Sequence, residues 1–145
     1  MGGKGNEGVA GLIKQTSGTI GYVELAYAEN NKLTYSSLKN MAGNFIEPGL
    51  EATTAAAAAH AKDMPKDFRV SIVNSDAPDV YPIVVFTWIL VYKHQKNAAK
   101  GKALVNFLRW AIKDGQKYAV ALLYGPLPQE IVPMIEEKLG QIQIG

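Results

Sequence analysis

Apolar positions along this chain change period several times, and each change marks an element. Near the start, Val9, Leu12 and Ile13 fall at helical spacing behind Asn6, a good N-cap residue, with Glu7 at the positive end of the helix dipole. A short amphipathic helix is therefore expected over Glu7–Gln15. Thr16-Ser17-Gly18 reads as a turn, and the β-branched and aromatic run Ile20–Ala28 predicts a strand. Glu29–Lys32 is a second turn, leading into a short edge strand over Leu33–Leu38. Alanine dominates Ile46–Lys62, which predicts a helix with Pro48 in its first turn, and the run Ala55–Ala59 suits close packing against a sheet. Met64–Asp67 ends that helix, Arg69–Val73 predicts a strand, and Asn74–Asp79 is a polar loop.

Tyr81-Pro82-Ile83 then leads into Val84–Tyr92, a continuous apolar run of the kind found in strands covered on both faces. After the polar connection Lys93–Lys100, residues Leu104, Val105, Leu108, Ala111 and Ile112 repeat with the helical period from Gly101 to Asp114-Gly115. Gln116–Tyr124 reads as helix or irregular chain. A terminal helix is expected over Gln129–Leu139, with Ile131, Val132, Ile135 and Leu139 on one face and Pro133 tolerated in its first turn. Helices alternating with strands imply an α/β architecture.

Composition narrows the class. A chain of 145 residues with 48% hydrophobic and 19% charged residues has room for one core, in one domain or two small lobes, and is not a disordered chain. The net charge of +2 is dispersed, so no nucleic-acid footprint is visible. Cysteine is absent, which excludes disulfides, thiol catalysis and cysteine metal sites. The apolar run Ile83–Tyr92 is too short to cross a bilayer, which takes about 20 residues. The N-terminus carries no apolar signal region, so no signal peptide is expected within the chain, and Asn6 stands where a myristoylation motif needs Ser or Thr.

Candidate chemistry is sparse. Gly3-Lys4-Gly5-Asn6-Glu7-Gly8 matches G-x-G-x-x-G, with Glu24 downstream where an acidic partner would stand. The dinucleotide fingerprint needs a strand directly before its first glycine, and only Met1-Gly2 precede Gly3 here. The phosphate-cradling P-loop fails as well, for want of Gly-Lys-Ser/Thr at the required offset. What remains is a generic anion site, the backbone amides around Gly5, Asn6 and Gly8 at a helix start. His60 and His94 lack metal-ligand spacing and are expected at the surface, so no metal is expected. Glu24 is either a buried acid of raised pKa or an outward-facing strand residue. Glu136, Glu137 and Lys138 form a surface patch, and Phe86, Trp88, Phe107 and Trp110 are expected in the core. Nothing assembles a nucleophile, base and orienter, so neither catalytic residues nor a cofactor are expected, and the chain is not read as an enzyme.

Three stretches carry a resemblance: Gly2–Gly11, then Gly18–Ala28 with its Gly-Tyr-Val-Glu core, and Tyr81-Pro82-Ile83 running into Phe86–Leu90. In this order and spacing the chain resembles the phosphate-specific solute-binding proteins of bacterial ABC importers. The likeness continues through Lys100–Ala111 and Tyr124–Pro128, and so covers nearly the whole chain. It implies a partial periplasmic-binding-protein fold of type II, a two-lobed α/β clamp that closes on phosphate. Residues 1–80 would be the tail of the second lobe, residues 81–145 the C-terminal part of the first, with Pro82 near the hinge crossing. Periplasmic or cell-surface placement, ABC permease subunits as partners and inorganic phosphate as ligand of the full-length protein are implied in the same way.

Members of that family hold phosphate with an early Thr/Ser-containing segment and an Arg-x-Asp-Gly-Ser-Gly-Thr stretch. Neither is present here; Arg69 and Arg109, the two arginines, stand in no such motif, so the resemblance transfers no ligand. The expectation is a C-terminal portion whose sheets lack strands. Such a portion would pair with an N-terminal half or with a second copy. The rival readings are a stand-alone oligomeric interaction domain without ligand and, on the opening glycines, a nucleotide-using enzyme.

Overall fold

The structure, a computed structural model, describes residues 2–145. Its first helix, α1 (Gly5–Gln15), begins two residues earlier than the periodicity implies and takes Lys4 as N-cap without a side-chain cap. Asn6 therefore lies inside the helix. Ala10 is the buried position of α1, and Glu7 sits in the first turn, where the dipole favours a negative charge.

Ile20–Ala28 is not a strand. Residues 19–24 are irregular, and Leu25–Asn30 forms the short helix α2, which packs on α1. Gly21 lies so close to α1 that a Cβ there would stand 2.9 Å from Ile13 Cδ1. A strand requires a hydrogen-bonded neighbour, and among the described residues this segment has a helix beside it instead.

Of the expected edge strand only its last residue is regular: β1 (Leu38–Lys39) pairs antiparallel with β2 (Phe45–Ile46), in the register Leu38 opposite Ile46. Asn40 locks this hairpin onto the chain that follows. Buried, it donates from Nδ2 to the carbonyls of Pro78 at 2.8 Å and Val80 at 3.2 Å, while its Oδ1 accepts from the Asn44 amide. The alanine-rich helix, α3 (Leu50–Ala59), is shorter than Ile46–Lys62 because Gly49 is its N-cap, so Pro48 precedes the helix rather than entering its first turn. Ala52, Ala56 and Ala57 are buried. Their small side chains let the helix backbone approach its neighbours closely.

Arg69–Val73 and Val84–Tyr92, both expected as strands, form no regular ladder. They nevertheless run alongside each other in antiparallel sense: the Asn74 amide donates to the Pro82 carbonyl at 2.8 Å, and the Trp88 indole to the Phe68 carbonyl at 3.0 Å. The inner end of this pair is the main core, in which Ile72, Val80 and Val84 pack on Ala56. A second cluster joins Ala61 and Met64 to Ile131, with Phe68, Val70 and Phe86 packed against it.

Beyond the pair, β3 (His94–Gln95) leads into α4 (Ala98–Ile112). That helix starts three residues before Gly101 because Asn97 is a true N-cap, its Oδ1 accepting from the Lys100 amide at 3.0 Å. Next come α5 (Gln116–Ala121) and α6 (Val132–Gly140), with Pro133 in the first turn of α6 as expected. The chain then returns as β4 (Gln143–Ile144), parallel to β3 with His94 opposite Gln143. Helix α4 packs on α6 and on both these strands, turning Val105 and Leu108 inward. Phe107, Trp110 and Trp88, expected in the core, are exposed, and Phe86 is half-buried. The described residues thus combine helices with two small two-stranded sheets.

Candidate functional site

Two places on the molecule concentrate features beyond ordinary packing, the start of α1 and an open apolar groove. The glycines at the start of α1 have steric reasons to be there. The chain doubles back so tightly that a Cβ on Gly3 would stand 2.4 Å from the Gly8 carbonyl carbon and from the Val9 nitrogen, which no side chain tolerates. Gly5 opens the helix at φ 69°, the left-handed region that favours glycine. Close approach and backbone hand thus account for the G-x-G-x-x-G spacing without a nucleotide.

The three residues expected as an anion site fare differently. The Gly8 amide donates to the Lys4 carbonyl at 3.2 Å and is taken up within the helix. Asn6 uses its side chain, Oδ1 accepting from the Glu24 amide at 3.0 Å. Around this bond lies a set of carboxylates and phenols: Tyr27 donates to Glu7 Oε1 at 2.8 Å, and Tyr124 to Glu24 Oε2 at 2.7 Å. The Tyr27 hydroxyl holds the Glu7 carboxyl below its usual range, and the same bond pushes the Tyr27 phenol up. Tyr124 is raised likewise by its bond to Glu24. Glu24 is therefore an exposed acceptor, not a buried acid. With Glu7 and Glu24 already at the positive end of α1, the helix dipole there is served by the chain's own carboxylates.

Tyr124 makes this network a junction between distant stretches of sequence. The loop that carries it also sets Gly125 against α3, where a Cβ would stand 2.9 Å from Thr53 Cγ2, and the Thr54 hydroxyl donates to the Pro126 carbonyl at 3.4 Å. None of these partners is near in sequence, so spacing alone could not have found Glu7, Tyr27 and Tyr124 as a group.

The groove is larger. About 1340 Å³ in volume, it is walled by Phe68, Val70, Trp88 and Leu90 from the paired segments and by Leu108 and Ile135 from α4 and α6. Its lining is mainly apolar, and its charged residues are the Asp67–Arg69 ion pair, at 2.8 Å, with Lys93 and Lys138. His94 lies away from it, exposed, with Nδ1 2.7 Å from Gln143 Oε1 across the β3–β4 pair. His60, expected at the surface, is half-buried at the C-terminal end of α3, its Nε2 without a hydrogen-bond partner among the described residues. No three His, Cys, Asp or Glu side chains among the described residues are placed to hold a metal. No helix among them is long and apolar enough to cross a membrane.

A family model described as a PBP superfamily domain matches residues 1–114, and the chain belongs to that superfamily. Individual proteins are similar to it over most of its length. It is 45% identical over 136 residues to the phosphate-binding protein PstS of Xylella fastidiosa (strain 9a5c), covering 94% of this chain and 37% of that protein. The protein of the same name from Haemophilus influenzae is 41% identical over 139 residues, 95% of this chain and 41% of its own length. The Methanocaldococcus jannaschii protein is 34% identical over 140 residues, covering 89% of this chain and 36% of its own. The chain thus spans well under half the length of these relatives.

Proposed function

We propose that this chain is the C-terminal part of a phosphate-binding protein that delivers inorganic phosphate to an ABC transporter, and that the main phosphate ligands lie outside its 145 residues. One observation carries the reading: identity of 45% across 94% of the chain to a protein named for phosphate binding. In this reading residues 1–80 are the tail of one lobe and residues 81–145 the C-terminal part of the other. The Asn74–Pro82 hydrogen bond supports a crossing at that point. The protein works outside the cytoplasmic membrane, docks on permease subunits and carries out no catalysis of its own. The presence of the Glu7 and Glu24 carboxylates at the α1 start supports placing the ligands elsewhere.

Calorimetric titration of the purified chain with inorganic phosphate, run beside light scattering, tests this. The expected result is no binding heat. Tight one-to-one binding would overturn the assignment of ligands and make the amides of Gly5 and Asn6 the site. The second reading, a stand-alone interaction domain, is favoured by the exposed apolar run at Ile89–Leu90. A well-defined dimer that binds no ligand, alone or with added polypeptide, would select it.

A further inference from the structure

We propose that the seam between α4 and α6 is a docking site for an acidic, extended peptide segment of a partner protein, held between Lys102 and Arg109. Unlike the apolar groove, this seam is rimmed by cations.

Across the whole chain the net charge is only +2, yet between Lys93 and Lys117 seven residues are Lys or Arg and the one acid is Asp114. The helical period puts Lys102, Asn106, Arg109 and, just past the end of α4, Lys113 on one face. At its far end Lys113 is answered by Glu136 of α6, with Nζ 2.6 Å from Oε1. Further back along α4 no acid answers. There the seam is lined from α6 by Leu139 and Gly140, and neither Lys102 nor Arg109 forms an ion pair among the described residues. Both cations are exposed, so their charge is open to a ligand from outside.

Shape selects the kind of anion. The two cations rim a concavity of about 280 Å³, floored by buried Val105 and Leu139 and walled by half-buried Ile142 and Ile144. A Cβ on Gly140 would meet nothing within 4 Å, so the rim is open on that side. Along the helix axis Lys102 and Arg109 stand roughly 10 Å apart, a separation that two anionic groups match better than one. A polyproline-II chain, with three residues per turn and ~3.1 Å of rise, places acids at i and i+3 on one face roughly 9 Å apart. Asn106, exposed midway, offers a donor and an acceptor to the main chain of such a segment, and the apolar floor receives an aliphatic side chain between the acids. A bilayer surface is flat and calls for cations that protrude, whereas these flank a recess.

The test is titration of this chain with the peptide acetyl-Gly-Glu-Pro-Leu-Glu-Pro-Gly-amide, followed by NMR amide shifts, beside the same peptide with both Glu replaced by Gln. Expected are saturable shifts confined to α4, the end of α6 and β4, an affinity that falls as salt is raised, and no binding of the Gln peptide. Arg109→Gln should weaken binding about fivefold. Gly140→Glu, which sets a carboxylate at the open rim, should weaken it at least as much. Lys117→Gln, on α5, should leave the affinity unchanged. No saturable shift, shifts elsewhere, equal binding of the two peptides, or an affinity that neither Arg109→Gln nor Gly140→Glu lowers overturns the proposal. Inorganic phosphate that produces the same shifts as tightly as the peptide overturns it in favour of a small-anion site. Phosphatidylglycerol vesicles that sediment the wild type but not Arg109→Gln, with no peptide binding, overturn it in favour of a bilayer.

Discussion

The two ends of one extended segment behave oppositely. At its inner end Val84 is 6% exposed and packs with Ile72 (2%) and Val80 (0%) against the alanine face of α3. A few residues on, Leu90 and Tyr92 are 94% and 87% exposed although the composition of the run has not changed. The difference lies in the neighbours. α3 presents Ala56, whose small side chain lets the segment reach its backbone, whereas α4 and α6 stand back and leave the groove between. Burial is thus a property of what approaches an apolar run, and the same residue types stabilise the fold at one end and line an open groove at the other.

The sharpest way to break this contrast is at the closed end. Ile72→Ala should lower stability by about 2–5 kcal/mol, the range for truncating a buried isoleucine, read as a fall in the urea midpoint at unchanged slope. A midpoint that stays put would mean the inner end is as loose as the outer. Gly125→Val comes next. Its Cβ would meet Thr53 at the β-carbon and Cγ2 of a helical residue with little freedom to move, at a cost of about 1–3 kcal/mol. Tyr124→Phe should cost no more than about 1 kcal/mol, because the hydrogen bond it removes, to Glu24, is solvent-exposed. Leu90→Ser belongs at the bottom of the scale, within about 0.5 kcal/mol in the isolated chain. If it proves as costly as Ile72→Ala, the groove is closed in solution and the comparison fails.

pH sharpens the same picture at the α1 start. The folded Glu7 carboxyl titrates below its ordinary value of 4.5, so its bond with Tyr27 stabilises the chain above that pH and is lost as pH falls through the folded value. The Tyr27 phenol, raised above 10.0, contributes in the opposite sense: its share is present below that pH and disappears as pH rises through the folded value. Carbon-detected NMR titration of Glu7 in the wild type and in Tyr27→Phe reads the first effect directly. The variant should titrate closer to the ordinary value.

Much of the chain was legible in advance where the signal is local. The helical period of Leu104–Ile112, the turn at Thr16–Gly18 and the placement of Pro133 need only residues within a turn or two of one another, and each stands as read. Asn97 was a legible cap that the periodicity, starting later at Gly101, passed over. Strand expectations failed as ladders because a strand is defined by a partner. Ile20–Ala28 has strand composition, and with α1 beside it Leu25–Asn30 closes local helical bonds instead. Of the candidate site, the sequence indicated the glycine-rich helix start but not its network, whose members Glu24 and Tyr124 are 100 positions apart.

The order of residues by itself determined the superfamily, the absence of thiol chemistry and the helices whose apolar stripes repeat within the chain. Only tertiary structure decided that the opening glycines serve close backbone approach, that Glu24 faces a phenol, and that Val84 is core while Ile89 and Leu90 of the same apolar run are bare. The physical reason is range. Helix periodicity and turn chemistry act over a few residues, whereas a ladder, a cavity or a carboxylate–phenol contact exists only once segments far apart in sequence have been brought together.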